Sequence, residues 1–523
     1  MVEHEVLVIG AGHGELTVAA YLAKAGVDVG VLERRDFVGG GAQTRETTLP
    51  GFKHETDSVA HIFIQPNPLI RNDELGLKSK YGLEYLYPEA QAASVFPDDS
   101  YFVKYRDLDK TCESIATLSE HDADAYRRFF DYSRGIMDFL AASLYSPAPA
   151  FGQMVAMLDS TPEGQEILRA LLMSSWDIIN EWFEDERVKV AMLKLANEPM
   201  MYPEAKGTGV YLFLMVPMIQ MYGFSTPKGG GVQLPLSLVR CLEDNGGKVY
   251  LNSEVAKIKV EGNRAVGVTL TSGEEVRGKK AVVCGLHPKI LFNRLLDSVP
   301  AELLRKINRL TPSSHSTISA NYALNEAPNY KVGGDVNRSI VVELLPFMEG
   351  FRQHYDDCRY GIAPRQPIPY VACHDVIDPT KSPTGKANIQ LYDPAPYHLR
   401  DGGAQKWDQI KEEVEDRKLE WVRQFTTNMG PDNILARRIN SPLDLERWNP
   451  NYVEGDVMAL GSDLYQYMAN RPIPELGHYR TPIEGLYLCG PATHPGGGIS
   501  GGGRAAVQVV MEDLGIDFDK VIG

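Results

Sequence analysis

Cysteine is scarce in this chain: six occur in 523 residues (Cys112, Cys241, Cys284, Cys358, Cys373 and Cys489), and none forms a C-x-x-C pair. That scatter excludes a redox dithiol, a zinc ribbon and an iron–sulfur centre. It suits a reducing compartment, so a cytoplasmic protein is expected. Positive charge is in deficit. The net charge of -16 at pH 7 argues against nucleic acid and against electrostatic docking on anionic lipid. It leaves peripheral, hydrophobic contact with a membrane open. Long apolar runs are missing. The most apolar segment, from Val210 to Ile219, is too short to span a bilayer and carries Pro217. It reads as a core element or a pocket wall. There is no internal repeat and no low-complexity tail. A strand begins almost at the N-terminus, so no cleavable leader is expected. His374-Asp375, and His354 with Asp356-Asp357, lack metal-ligand spacing, so no metal is expected. No G-x-S-x-G elbow or Cys–His pair nominates a hydrolase.

What is present begins at once. Val6 to Ile9 is an apolar run followed by Gly10-Ala-Gly12, a helix-like stretch, a second run from Val29 to Leu32, and Glu33. This order places a dinucleotide at a helix N-terminus. Gly10 permits the sharp turn and Gly12 a close backbone approach to a pyrophosphate. The amides from His13 to Leu16 lack intrahelical partners and point at that anion. Leu16, Ala19, Ala20 and Ala23 give the helix a small apolar face. Glu33 accepts from a ribose hydroxyl and disfavours a 2′-phosphate, which favours FAD or NAD over NADP. One position departs from G-x-G-x-x-G: Glu15 stands where the third glycine belongs. A glutamate at a helix start suits the dipole by ~0.3–1 kcal/mol but repels a pyrophosphate. Glu15 is therefore expected to point away from the anion, with a small shift of the helix.

At 523 residues the chain exceeds one core, and two or more domains are expected. Gly39-Gly40-Gly41 follows the ribose-binding strand and suggests a second backbone approach to the ligand. Ser119, three residues before Asp122, predicts a helix N-cap, with helix from Ala123 to Leu144 and again from Thr161 to Glu181. A glycine turn at Lys228-Gly-Gly230 opens another helix to Leu242. Strands are expected at Val255–Val260, Ala265–Leu270, Lys280–Gly285, Ser316–Leu324 and Ala387–Tyr392, and a charged helix at Trp407–Phe425. Last comes Gly485-Leu-Tyr-Leu-Cys-Gly490, a buried strand, then a glycine-rich turn through Gly503 and a helix from Arg504 to Leu514. A second strand–glycine–helix unit some 480 residues after the first implies one nucleotide domain assembled from distant segments, its two helix N-termini meeting at one ligand.

These motifs resemble FAD-dependent oxidoreductases of the phytoene desaturase and amine oxidase superfamily, most closely the phytoene dehydrogenase-like proteins. The matching pieces run from Gly10-Ala-Gly-His13 and Leu32-Glu-Arg-Arg35 through Pro50-Gly-Phe52, Gly207-Thr-Gly209 and Ser441-Pro-Leu-Asp444 to Thr493-His-Pro-Gly-Gly-Gly-Ile-Ser500. They cover essentially the whole length. The resemblance implies an α/β fold: a Rossmann-like FAD domain of the glutathione-reductase type, built from 1–65, 226–295 and 445–523, and an α+β substrate domain built from 66–225 and 296–444. It implies that Gly10, Gly12, His13 and Gly14 meet the pyrophosphate, Glu33 and Arg34 the adenosine ribose end, and Gly40 and Gly41 the phosphates. Val255 would hold the adenine by its backbone. Gly490, Gly497, Gly498, Ile499 and Ser500 would lie at the flavin end. Gly41 stands where many amine oxidases have arginine, and Leu214-Met215 where many relatives carry histidines.

The resemblance implies hydride transfer from a C–H bond of a mainly apolar small molecule to flavin N5. No second dinucleotide motif is present, so dioxygen or a quinone is the expected acceptor. Catalytic candidates are His61, whose imidazole titrates near neutrality, and His494 at the glycine turn. Asp57 is a candidate for a polar edge of the flavin, and Tyr211, Phe213 and Met215 for the pocket wall, although a core stripe is the favoured reading of those three. His287 reads as a strand end. Two alternatives stay open here: a redox-neutral isomerase using reduced FAD, and a flavoprotein whose FAD is structural and serves assembly with a partner.

Overall fold

Strand Val2–Ile9 is buried throughout its second half because other elements cover both of its faces. In the computed structural model, which describes residues 2–523 without the side chains at 138, 139, 141 and 142, this strand lies at the centre of a seven-stranded sheet. Parallel neighbours are Val29–Leu32 on one side and Glu275–Cys284 on the other. Lys248–Tyr250 extends the sheet beyond Val29–Leu32, and Leu486–Leu488 pairs with the end of Glu275–Cys284. The antiparallel strands Val255–Glu261 and Arg264–Leu270 complete it. Helices His13–Lys24, Gln233–Asp244 and Gly503–Asp513 bury their apolar sides together with Val6, Val8, Val29 and Val31. Every strand of this sheet falls within 1–65, 226–295 and 445–523. The boundary at 65 needs moving, however. Leu69, Ile70, Leu75, Leu77 and Leu83 pack into the same core, so the segment to about 86 belongs with the first sheet.

The second sheet also has seven strands, in the order Ile434–Asn440, Ser316–Leu324, Ala387–Ala395, Tyr370–Ala372, Val341–Leu344, Ala90–Val95 and Tyr101–Tyr105. Its side chains alternate as a strand requires. Ile318, Ala320, Tyr322, Ile389 and Leu391 join a core with Trp407, Leu419 and Val422 of helix Trp407–Phe425. Thr317, Ser319, Gln390 and Tyr392 face the other way, into the cavity described below.

The helical insertion follows from local signals. Ser119 Oγ accepts from the Asp122 amide at 3.1 Å and starts helix Glu120–Leu144. The single helix predicted from Thr161 to Glu181 is instead two, Pro162–Leu172 and Ser175–Trp182, because Ser174 and Asp177 form a capping box that starts the second. Helix Gly209–Tyr222 is apolar on every side and buried accordingly, Pro217 included. Among the described residues, no helix is long and apolar enough to cross a membrane.

Candidate active site

One cavity of about 510 Å³ runs from the glycine turn after the first strand to the open face of the second sheet. Its nucleotide end is built from backbone. Gly10, at φ +98°, makes the turn, and its amide donates to Leu32 O at 2.9 Å. The Ala11 amide donates to Glu33 Oε2 and the Arg35 amide to Glu33 Oε1, both at 2.9 Å. Glu33 therefore ties the turn to the following loop while lining the cavity. Gly39 donates to Ala11 O at 2.7 Å, laying the second glycine loop against the first. A side chain on Gly40 would bring its Cβ to 2.9 Å from Gly12 Cα.

Two helix N-termini meet here. Neither Gly12 nor Gly502 provides a side-chain cap. A Cβ on Gly503 would overlap the Gly14 carbonyl. His13, Gly14, Gly502 and Gly503 all line the cavity. Uncapped amides and two aligned helix dipoles form an anion site suited to a pyrophosphate. The chain ends are thus joined as expected, with His13 in contact with the backbone of Gly498.

Glu15, in the place of the third glycine, is held by neighbouring glycines. Its side chain folds back beneath the turn and lines the cavity, in space left by Gly10, Gly12, Gly285 and Gly490. A Cβ on Gly490 would lie 2.7 Å from Glu15 Oε1, and one on Gly12 or Gly285 would overlap the carboxyl. Burial pushes the Glu15 carboxyl up to about 7, against the backbone amides of Glu15 and Gly12 and with the charge of Glu33 adding to the rise.

Of the residues singled out for the cofactor, Gly10, Gly12, His13, Gly14, Glu33, Arg34, Gly40, Gly41, Val255, Gly490, Gly498, Ile499 and Ser500 line the cavity. Gly497 does not line it, because its backbone packs on Met458. The catalytic candidates lie behind the wall. His61 is 1% exposed, and its Nδ1 lies 3.1 Å from Tyr85 OH. His494 is 2% exposed and contacts Ser143 O through Nε2 at 2.8 Å. Burial lowers the two imidazoles to about 3 and about 4. Both are neutral where enzymes work, and neither ring reaches the cavity lining. Met215 is in the wall, whereas Tyr211 and Phe213 pack in the helical core. Asp57 lines the cavity and accepts from Thr56 Oγ1 at 2.7 Å; burial raises it to about 6, with Arg35 opposing. His287 Nδ1 accepts from the Lys289 amide at 3.0 Å, capping the turn after a strand. Among the described residues, no group of histidine, cysteine and acidic side chains is placed to hold a metal.

The sequence reading missed three supports. Arg471 is 1% exposed and donates to the carbonyls of Met458, Leu460, Gly461 and Pro491 at 2.9–3.2 Å. It thereby fixes both strands of chain beneath the C-terminal glycine loop. Asn67 Nδ2 donates to Ser500 O and Gly501 O at 3.0 and 3.2 Å. Arg504 forms a buried ion pair with Glu74 at 2.7 Å. No short-range pattern marks these residues, since their partners are tens to hundreds of positions away.

A dinucleotide cradle opening onto a second, sheet-walled chamber defines an FAD-dependent oxidoreductase. Residues 16–328 match the family described as flavin containing amine oxidoreductase, and the chain belongs to that family. It is 28% identical to the rat (Rattus norvegicus) pyridine nucleotide-disulfide oxidoreductase domain-containing protein 2, over 98% of this chain and 94% of that protein. It is 25% identical to the lycopene-forming phytoene desaturase of Pantoea ananas, over 97% of this chain and 99% of that protein. Among solved structures, an oxidoreductase from Methanosarcina mazei has the same fold, with a TM-score of 0.63 at 17% identity over 98% of this chain and 100% of the other. The cofactor is FAD. The cradle suits it: two uncapped helix starts, two abutting glycine loops and a carboxylate at the end of the second strand.

Proposed function

We propose that the protein oxidises a C–H bond of a small molecule with a largely apolar body, and that dioxygen or a quinone takes the electrons on. The observation that carries this reading is the continuity of the cavity. Gly12 and Glu33 line one end, and Thr317, Gln390 and Tyr392 of the second sheet line the other. FAD supplies, when bound, an acceptor for hydride at N5. The residues of this chain bind, orient and exclude water. Gly10 to Gly14 and Gly502 to Gly503 would hold the pyrophosphate, and Glu33 a ribose. Asp57, close in charge terms to Arg35 and Tyr452, is suited to a hydroxyl of the cofactor. Leu195, Met200, Met215, Phe224 and Val341 supply the apolar walls around the substrate, which keeps water from the reacting carbon. The proton that leaves the neighbouring atom need not go to His61 or His494, whose rings lie outside the lining. The test is anaerobic bleaching of the bound flavin by cyclic terpenes, polyenes, alcohols and amines, followed by admission of air or a soluble quinone. Bleaching by at least one, with recovery on reoxidation, supports the reading. A flavin that none of them bleaches counts against it.

A further inference from the structure

The wall opposite the nucleotide cradle is polar and follows one line across the second sheet. Ser319 pairs with Tyr392, Tyr392 with Tyr370, Tyr370 with Glu343, and Glu343 with Ser94. Such a row occupies a single face. Two of its members stack: the rings of Tyr370 and Tyr392 are 4.7 Å apart and 21° from parallel. Glu343 is ion-paired with Lys104 Nζ of the neighbouring edge strand at 3.2 Å and accepts from Ser94 Oγ at 2.6 Å.

Against this row stands Glu198, which follows helix Glu186–Ala196 and lines the cavity. No side chain or amide donates to its carboxylate within hydrogen-bond distance among the described residues. Gln390, 4% exposed on the same wall, leaves its Oε1 buried and unpartnered. Of the two lysines near Glu198, Lys104 is paired with Glu343, and Lys194 lies 5.5 Å above Tyr392 and 5.8 Å above Tyr370. Glu198 thus faces, with no protein donor, a chamber whose other walls are largely apolar, while Gln390 Oε1 stays unpaired within the wall itself. A carboxylate that opens onto the chamber without a protein donor is complementary to a ligand that brings donors. Burial also raises the Glu198 carboxyl to about 7, with Lys194 opposing and Glu343 adding to the rise.

We propose that Glu198 selects substrates carrying a hydrogen-bond-donating head group, an ammonium or a hydroxyl, on an apolar body. The proposal rests on the oxidoreductase reading above, because it assigns the chamber to the substrate. It makes the specificity of this enzyme that of an amphiphile oriented by its polar end, with the apolar part turned to the flavin. Substrates ending in a carboxylate are rejected once Glu198 is ionised, above about pH 7, since they would then set acceptor against acceptor.

The test uses the flavin-loaded protein at pH 8.5, where Glu198 is ionised, and three probes of equal length: octylamine, 1-octanol and octanoate. Binding is read by calorimetry and by perturbation of the flavin absorption. Octylamine or 1-octanol is expected to bind at least tenfold more tightly than octanoate. Glu198→Leu is expected to weaken the favoured probe at least tenfold while FAD content per chain is unchanged. The isosteric Glu198→Gln, which preserves the fold if the leucine variant does not, separates the two head groups. It weakens octylamine tenfold if the natural group is an ammonium, and retains 1-octanol if it is a hydroxyl. Octanoate binding as tightly as the others overturns the proposal. So does binding that ignores both substitutions, or no binding by any probe. A protein that purifies without flavin contradicts the oxidoreductase reading instead. Flavin-loaded protein that is indifferent at position 198 contradicts this inference alone.

Discussion

Replacing Glu15 by glutamine should change how the protein responds to pH, and the size of the change follows from the cage around that side chain. In the flavin-free protein the carboxyl is enclosed by Gly10, Gly12, Gly285 and Gly490, with Glu33, Cys284 and Cys489 as the titratable groups near it. Folding moves it from 4.5 to about 7. An acid raised in this way is penalised when ionised. The penalty is absent below pH 4.5, grows up to about 7 and is constant above. The move corresponds to about 3 kcal/mol of lost stability at pH 8. With an unfolding entropy of about 2 cal/mol/K per residue, that is about 3 °C for a chain of 523 residues. Thermal melting of flavin-free wild type and Glu15→Gln at pH 5 and pH 8 measures it. The variant is expected to gain on the wild type by about that amount at pH 8 and by much less at pH 5. Bound FAD adds negative charge beside the same carboxyl, so the wild type should also release flavin faster at pH 8.5 than at pH 6, and the variant at similar rates. Parallel melting curves, with the same gap at both pH values, refute the reasoning.

Glu33→Ala leaves the Ala11 and Arg35 amides without their acceptor; bonds of this kind contribute about 1.5–3 kcal/mol each, and the purified variant is expected to carry little FAD by absorbance. Arg471→Met strips the donor from four buried carbonyls and is expected to cost at least about 3 kcal/mol, read as a lower melting temperature together with flavin loss. Gly40→Ala places a Cβ 2.9 Å from Gly12 Cα at a φ of +60°; it should reduce FAD binding more than it reduces melting temperature. With His61 and His494 lowered to about 3 and about 4, flavin reduction by any active substrate should show no histidine ionisation between pH 6 and 8, and a step that disappears in His61→Gln contradicts that placement.

The nucleotide half of the site was legible because it is built from local pattern. Val6 to Glu33 encodes strand, turn, helix and strand in order, and the glycines from Gly496 to Gly503 repeat the device at the other end. Both ends converge because parallel strands Val2–Ile9, Glu275–Cys284 and Leu486–Leu488 are neighbours. The segment just after residue 65 was misassigned because its leucines carry no sign of which core they join. The room for Glu15 was not legible, because the space beneath the turn depends on Gly285 and Gly490, which sequence order does not bring near. The histidines drew attention by chemistry, yet burial decides their state, and burial is a tertiary property. The polar row from Ser319 to Ser94 was invisible for a similar reason. Each strand contributes one polar residue, and only the register of five strands lines them up.

The most direct measurement is the identity and stoichiometry of flavin in the purified protein, read from its visible absorption and from the nucleotide released on denaturation. The account expects a yellow protein with one FAD per chain, lost when Glu33 is replaced by alanine. A colourless protein that cannot be reconstituted with FAD would contradict it.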